Sequence, residues 1–135
     1  MAKVTYISQI PLGDNAEAIS LVYIDIMEYN GHKIVKKLGV LDFDPTAPDL
    51  GAQIKETDSD VIFLATATSV PRELRHTTYE HLRTHGKPVL IADLNILPTQ
   101  SNLPVKEGDA YIDAYKQRAE LNRIIPKAID QLLFR

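Results

Sequence analysis

A chain of 135 residues, 44% hydrophobic and 24% charged, is long enough for one domain with its own core and too ordinary in composition for a fibrous or disordered protein. Its formal net charge of -3 gives no electrostatic footprint for nucleic acid or an anionic membrane, so neither partner is expected. The lack of cysteine excludes disulfides, zinc–thiolate sites, iron–sulfur clusters and cysteine nucleophiles, while Met1-Ala2-Lys3 leads straight into a strand-like segment, which points to a cytoplasmic protein without a signal peptide.

Val4-Thr5-Tyr6-Ile7 is β-branched and aromatic and predicts a first strand, ending at the loop Pro11 to Gly13. Asp14 with Glu17 three residues later is an acidic relative of the capping box, and it predicts a long helix over 15–30, closed by Asn30-Gly31. A second strand is expected from His32 to Leu41, then a loop with Pro45 and Pro48, then a short helix from Asp49 to Thr57. Asp60-Val61-Ile62-Phe63-Leu64-Ala65 is a continuous apolar run, as in strands covered on both faces, and favours a parallel sheet. Pro71 suits the first turn of a helix that Gly86 stops, and Val89-Leu90-Ile91-Ala92 is a second run of the buried kind. Residues 98–108 read as a loop, 109–124 as a helix, and Pro126 as the start of a final short helix carrying Ile129, Leu132 and Leu133. Strand–helix alternation of this kind predicts one doubly wound α/β domain over 1–135, with a mostly parallel sheet of four or five strands. The fifth strand has no visible segment.

Ligands of open parallel sheets bind beyond the carboxyl ends of the strands, where strand order reverses. The loops at that edge supply Ser8, Gln9, Asp42, Asp44, Thr66, Thr68, Ser69, Asp93 and Asn95, which either line a polar crevice or are polar because they reach water. The first of these loops has only Gly13 and no glycine-rich phosphate motif, and Asp14 and Glu17 sit where an anion would dock at the helix N-terminus. His81 and His85 have the i, i+4 spacing of a chelating pair, with His76 nearby, but no third ligand of fixed geometry accompanies them. No metal site and no catalytic residue is assigned, because no nucleophile–base pair is recognisable. In the first helix, Leu21 and Ile24 widen the apolar stripe of Ile19, Val22, Tyr23, Ile26 and Met27, which implies deep burial or an oligomer surface.

The order of elements carries a resemblance. Asn30-Gly31-His32 leads into the second strand, Thr57-Asp58-Ser59-Asp60-Val61 into the third, Lys87-Pro88-Val89 into the fourth, and Ile125-Pro126-Lys127 into the last helix. From Tyr6 to about Leu97 the chain resembles the small cobalamin-binding subunit of the carbon-skeleton mutases. That family's Asp-x-His-x-x-Gly falls on Ser8 to Gly13, where only Gly13 survives and Ile10 replaces the cobalt ligand. Its Ser-x-Leu falls on Ala65-Thr66-Ala67, and its Gly-Gly on Asp93-Leu94. The resemblance implies a degenerate cobalamin-binding-like module, a non-catalytic regulatory or interaction subunit that pairs as a homodimer or with a larger mutase-like subunit through helix 15–30. One alternative is a corrinoid carrier that holds cobalamin without a histidine ligand. Another follows from Asp60 to Ser69, which resembles the third strand and loop of flavodoxin-like proteins and implies an FMN or small-ligand binder. Across these readings the cofactor-binding candidates are Ser8, Gly13, Thr66, Thr68, Ser69 and Asp93.

Overall fold

The computed structural model describes residues 1–40, 58–84, 86–95 and 105–134; Asp42, Asp44, the helix expected over 49–57 and His85 lie outside them. Five strands form one sheet: β1 (Lys3–Ser8), β2 (Lys33–Leu38), β3 (Val61–Ala67), β4 (Val89–Leu94) and β5 (Ala110–Asp113). Their order is β2-β1-β3-β4-β5, and every neighbouring pair is parallel. Among the described residues three helices cover the sheet: α1 (Ala16–Tyr29), α2 (Arg72–Arg83) and α3 (Arg118–Leu133).

Alternation along the strands divides the core between two faces. On one face Val4 and Tyr6 of β1 and Phe63 and Ala65 of β3 meet Tyr23, Ile26 and Met27 of α1, with Ile125 and Ile129 of α3. Tyr6 stacks on Phe63 with ring centroids 5.6 Å apart, and Tyr23 tilts against the same ring at 5.3 Å. On the other face Ile7, Ile62, Leu64, Val89 and Ile91 pack under Tyr79 and Leu82 of α2. Every residue of β3 is buried, which is why its sequence shows no polar alternation.

Four local expectations are corrected. Strand β2 starts one residue later than predicted and stops at Leu38. The N-cap of α1 is Asn15, in the left-handed conformation (φ 60°) and without a side-chain cap hydrogen bond, after a 3-10 turn over Leu12–Asp14, so the helix does not open on Asp14 as the expected capping box requires. The stretch 109–124, helical by composition, instead supplies β5 and then the start of α3. Pro126 lies inside α3 rather than at its start. The proline removes one backbone donor, but the buried stripe of Leu121, Ile125, Ala128, Ile129 and Leu132 continues through it and holds both halves against the sheet.

Two polar contacts fasten the amino edge. The Asp109 carboxylate accepts from the Val89 N–H at 2.9 Å, from Arg83 Nε at 2.7 Å and from the Tyr79 hydroxyl, tying the approach to β5 to β4 and α2. His32, buried between α1 and β2, accepts the Ala2 N–H on Nδ1 at 3.0 Å and so anchors the start of β1. Burial, aided by the N-terminal ammonium, holds the His32 imidazole below its ordinary value, and that bond needs Nδ1 unprotonated. The unfolded chain takes up the proton near pH ~6.5, so the contribution of His32 is full above that pH and is lost as pH falls through the depressed folded value. Urea unfolding at about pH 7 and about pH 5 should show the native chain losing stability on acidification and His32→Asn losing less; parallel slopes would assign the loss to other groups.

Candidate functional site

The switch of α1 to one face and α2 to the other falls between β1 and β3, so the carboxyl ends of these strands mark the place where such sheets hold ligands. The structure brings the sequence candidates to this edge but splits them between the two faces.

On the α1 face, Ser8 ends β1, and its Oγ accepts the Ile10 N–H at 3.4 Å. Beside it is a cavity of about 510 Å³ between the first half of α1 and the ends of β1 and β2. Ile10, Leu21, Ile24 and Val40 line it, with Glu17 and Lys37 as its charged groups. The Tyr6 hydroxyl, also in the lining, donates to Ser20 Oγ at 2.7 Å, and burial pushes its pKa up to about 12, so it stays a neutral donor. Gly13 is exposed, its φ is not positive, and a Cβ there would meet nothing within 4 Å.

On the α2 face, Thr66 of β3 and Asp93 of β4 are register partners and fully buried. Asp93 Oδ2 accepts from Arg75 NH1 at 3.1 Å and from the Tyr111 hydroxyl at 2.6 Å. Gln9, one residue past β1, donates from Nε2 to Thr78 Oγ1 at 3.0 Å. Burial and then the Asp93 hydrogen bond push the Tyr111 phenol up, which keeps it the donor in this contact. Thr68 turns back on β4, its N–H reaching the Leu94 carbonyl at 3.3 Å, and the Val70 N–H closes a turn on the Ala67 carbonyl at 3.0 Å. Ser69 is exposed at the tip of that turn. Pro71, expected in the first helical turn, is the residue just before α2, and its carbonyl accepts the Arg75 N–H.

Sequence reasoning placed Ser8, Gln9, Thr66 and Asp93 at the carboxyl edge, where the structure has them, and missed Arg75. The signal for Arg75 was its place in the buried stripe of α2, Arg75-Thr78-Tyr79-Leu82, at i, i+3, i+4 and i+7. His76 is exposed and His81 half-buried on the same helix, and the described residues contain no group of three side chains able to hold a metal. Among those residues no helix is long and apolar enough to cross a membrane.

With this geometry in place, the comparisons with known proteins bear on the fold. No protein-family model matches the sequence, and neither does any curated protein. Among solved structures, the chain is similar to a short-chain flavodoxin associated with a non-canonical PDU bacterial microcompartment. The TM-score is 0.57 at 13% identity, over 96% of this chain and 98% of that one. The fold is therefore doubly wound and flavodoxin-like, with an all-parallel five-stranded sheet.

The buried ion pair yields a direct prediction. Asp93→Ala leaves the Arg75 guanidinium without its anion in a dry site and should cost about 3–5 kcal/mol of unfolding free energy. Joining Arg75→Met to Asp93→Leu removes both charges and should recover most of that loss. Equilibrium urea unfolding checks both, and a double variant as unstable as Asp93→Ala would refute the account.

Proposed function

We propose that the chain is a flavodoxin-like small-ligand-binding protein whose ligand enters the cavity between α1 and the carboxyl ends of β1 and β2. The carrying observation is the cavity itself. Its volume of about 510 Å³ falls within the ~300–1,000 Å³ of small-molecule sites, and it opens at the edge where doubly wound sheets take ligands. Its walls are mainly apolar, with a few polar groups that can orient a guest: Ser8, Ser20, the carboxylate of Glu17 and the ammonium of Lys37.

The same geometry argues against the cofactors that the two resemblances imply. A phosphate cradled at the start of α1 needs free N–H groups and no competing negative charge. Here the loop folds as a 3-10 turn, Ile10 is buried in the core, and Glu17 stands in the first turn of α1. FMN held by its phosphate in this loop does not fit. Nor does histidine-mode cobalamin, because the ligand position is the buried Ile10 and the position expected to be small is Asp93, committed to Arg75. A ligand that binds through an apolar body needs neither motif. Exposed Leu12 and Leu21 at the cavity rim support a second reading, in which this end of α1 docks another copy of the chain or a larger subunit.

Titration with the apolar fluorophore 8-anilinonaphthalene-1-sulfonate, alongside desalting after incubation with FMN and with hydroxocobalamin, tests the proposal. Saturable fluorescence is expected, with at least a ~10-fold loss of affinity in Ser20→Trp, which fills the cavity, and no colour retained from either cofactor. Fluorescence that Ser20→Trp leaves unchanged, or retained FMN or corrinoid, would overturn this reading. Concentration-dependent dimerisation abolished by Leu21→Glu would favour docking instead.

A further inference from the structure

The cavity on the α1 face has a polar end whose hydrogen-bonding sense is set by the fold. Its centre is the Tyr6 phenol, which burial raises against the smaller opposing effects of Ser20 and Ser8. The Tyr6 hydroxyl donates to Ser20 Oγ at 2.7 Å and spends its only proton there. Ser20 is therefore the acceptor in that contact and keeps its own hydroxyl proton, for which no described residue supplies an acceptor. A hydroxyl that accepts from a phenol is a stronger donor onward, because hydrogen bonds in a chain polarise one another.

Lys37 adds a cation to the same end. It is the register partner of Tyr6 across β1 and β2, so the two side chains leave the α1 face of the sheet side by side. Its ammonium makes no ion pair with Glu17 or with any other described residue. Glu17, the other charge of the lining, is exposed in the first turn of α1, where water and the helix N-terminus already suit a carboxylate. The unmet demand is for an anionic acceptor beside Tyr6. The lining from Ile10 and Leu21 to Ile24 and Val40 asks for an apolar body. A single negative charge matches the one free ammonium of the lining, whereas a doubly charged phosphate would bring an excess that Glu17 repels.

We propose that the guest of this cavity is a medium-chain or single-ring monocarboxylate, its carboxylate held between Lys37 Nζ and the Ser20 hydroxyl and its apolar body against Ile10, Leu21 and Ile24. This carboxylate site rests on the ligand cavity proposed above and adds the charge and the orientation of its guest.

Isothermal titration calorimetry on the full chain tests it, with octanoate, octanamide and octylammonium as probes at low salt. Octanoate should bind at least ~10-fold tighter than octanamide, its uncharged near-isostere, as expected for hydrogen bonds to a charged acceptor. Lys37→Met keeps the apolar stem at an exposed position of the edge strand β2 and should close that gap without altering octanamide binding. Ser20→Ala deletes the second donor and should narrow the gap severalfold. Octanoate and octanamide binding equally, both blocked by Ser20→Trp, would leave the cavity as a ligand site and overturn the carboxylate assignment. Tighter binding of octylammonium would overturn it in favour of Glu17 as the anchoring charge. A gap that survives both Lys37→Met and Ser20→Ala would overturn it as well. No binding of any probe would overturn the ligand cavity and the carboxylate site together.

Discussion

The parallel pairing of β1 with β3 is the constraint on which the rest of the structure depends. In register from Val4 opposite Val61 to Ser8 opposite Ala65, it sets two strands side by side whose following helices leave to opposite faces. A parallel neighbour cannot be reached by a tight turn, so each connection must cross a face of the sheet and cover it. That requirement buries β3 completely and gives α1 and α2 their separate layers. It also opens the carboxyl edge between them, because diverging connections leave the strand ends uncovered there.

What could be read from the sequence followed the strength of each local signal. The apolar runs at 61–65 and 89–92 have few alternatives, since short stretches without polar alternation, bounded by turns, suit strands buried on both faces. β5 was hidden because Ala110-Tyr111-Ile112-Asp113 is short and precedes a helix-rich composition; only its pairing with β4 makes it a strand. The carboxylate of Asp109 helps fix that pairing from outside the element, and a local reading cannot see such a bond. Pro126 misled for a related reason. Its preference for helix starts is a local tendency, which the packing of Ile125 and Ile129 on the sheet overrides.

The site was legible as an edge but not as chemistry. Rules of topology place Ser8, Thr66 and Asp93 at one edge of the sheet, yet alternation sends Ser8 to the α1 face and Thr66 and Asp93 to the α2 face. Arginine on a helix reads as a solvated charge by default, and Arg75 is the exception because Asp93 lies beneath it across the helix–sheet gap. The resemblance to cobalamin modules rests on the order of elements, which many doubly wound proteins share. Chemistry resides in side chains such as Ile10 and Asp93, whose packing in this chain has its own logic.

The two faces of the sheet are specialised in different ways, and the difference traces to a few positions. On the α1 face the apolar lining runs from Val4 past Tyr6 and Phe63 to Ile10 and Ile24, so the space left at the carboxyl edge is mainly apolar, with Glu17 and Lys37 as the charged groups among the described residues that line it. On the α2 face the layer begins apolar at Val89 and Ile91 and turns polar one step further, where Thr66, Asp93 and Tyr111 meet Arg75. A buried ion pair with unfilled hydrogen-bonding capacity is a poor way to gain stability, because well-packed apolar side chains of similar volume do as well or better. Its position at the carboxyl edge, rather than in the middle of the sheet, sets it apart from the apolar rows beneath it. Had folding alone shaped this layer, aliphatic residues at 66 and 93 would have continued the pattern of Ile62, Leu64 and Ile91 to the end of the strands.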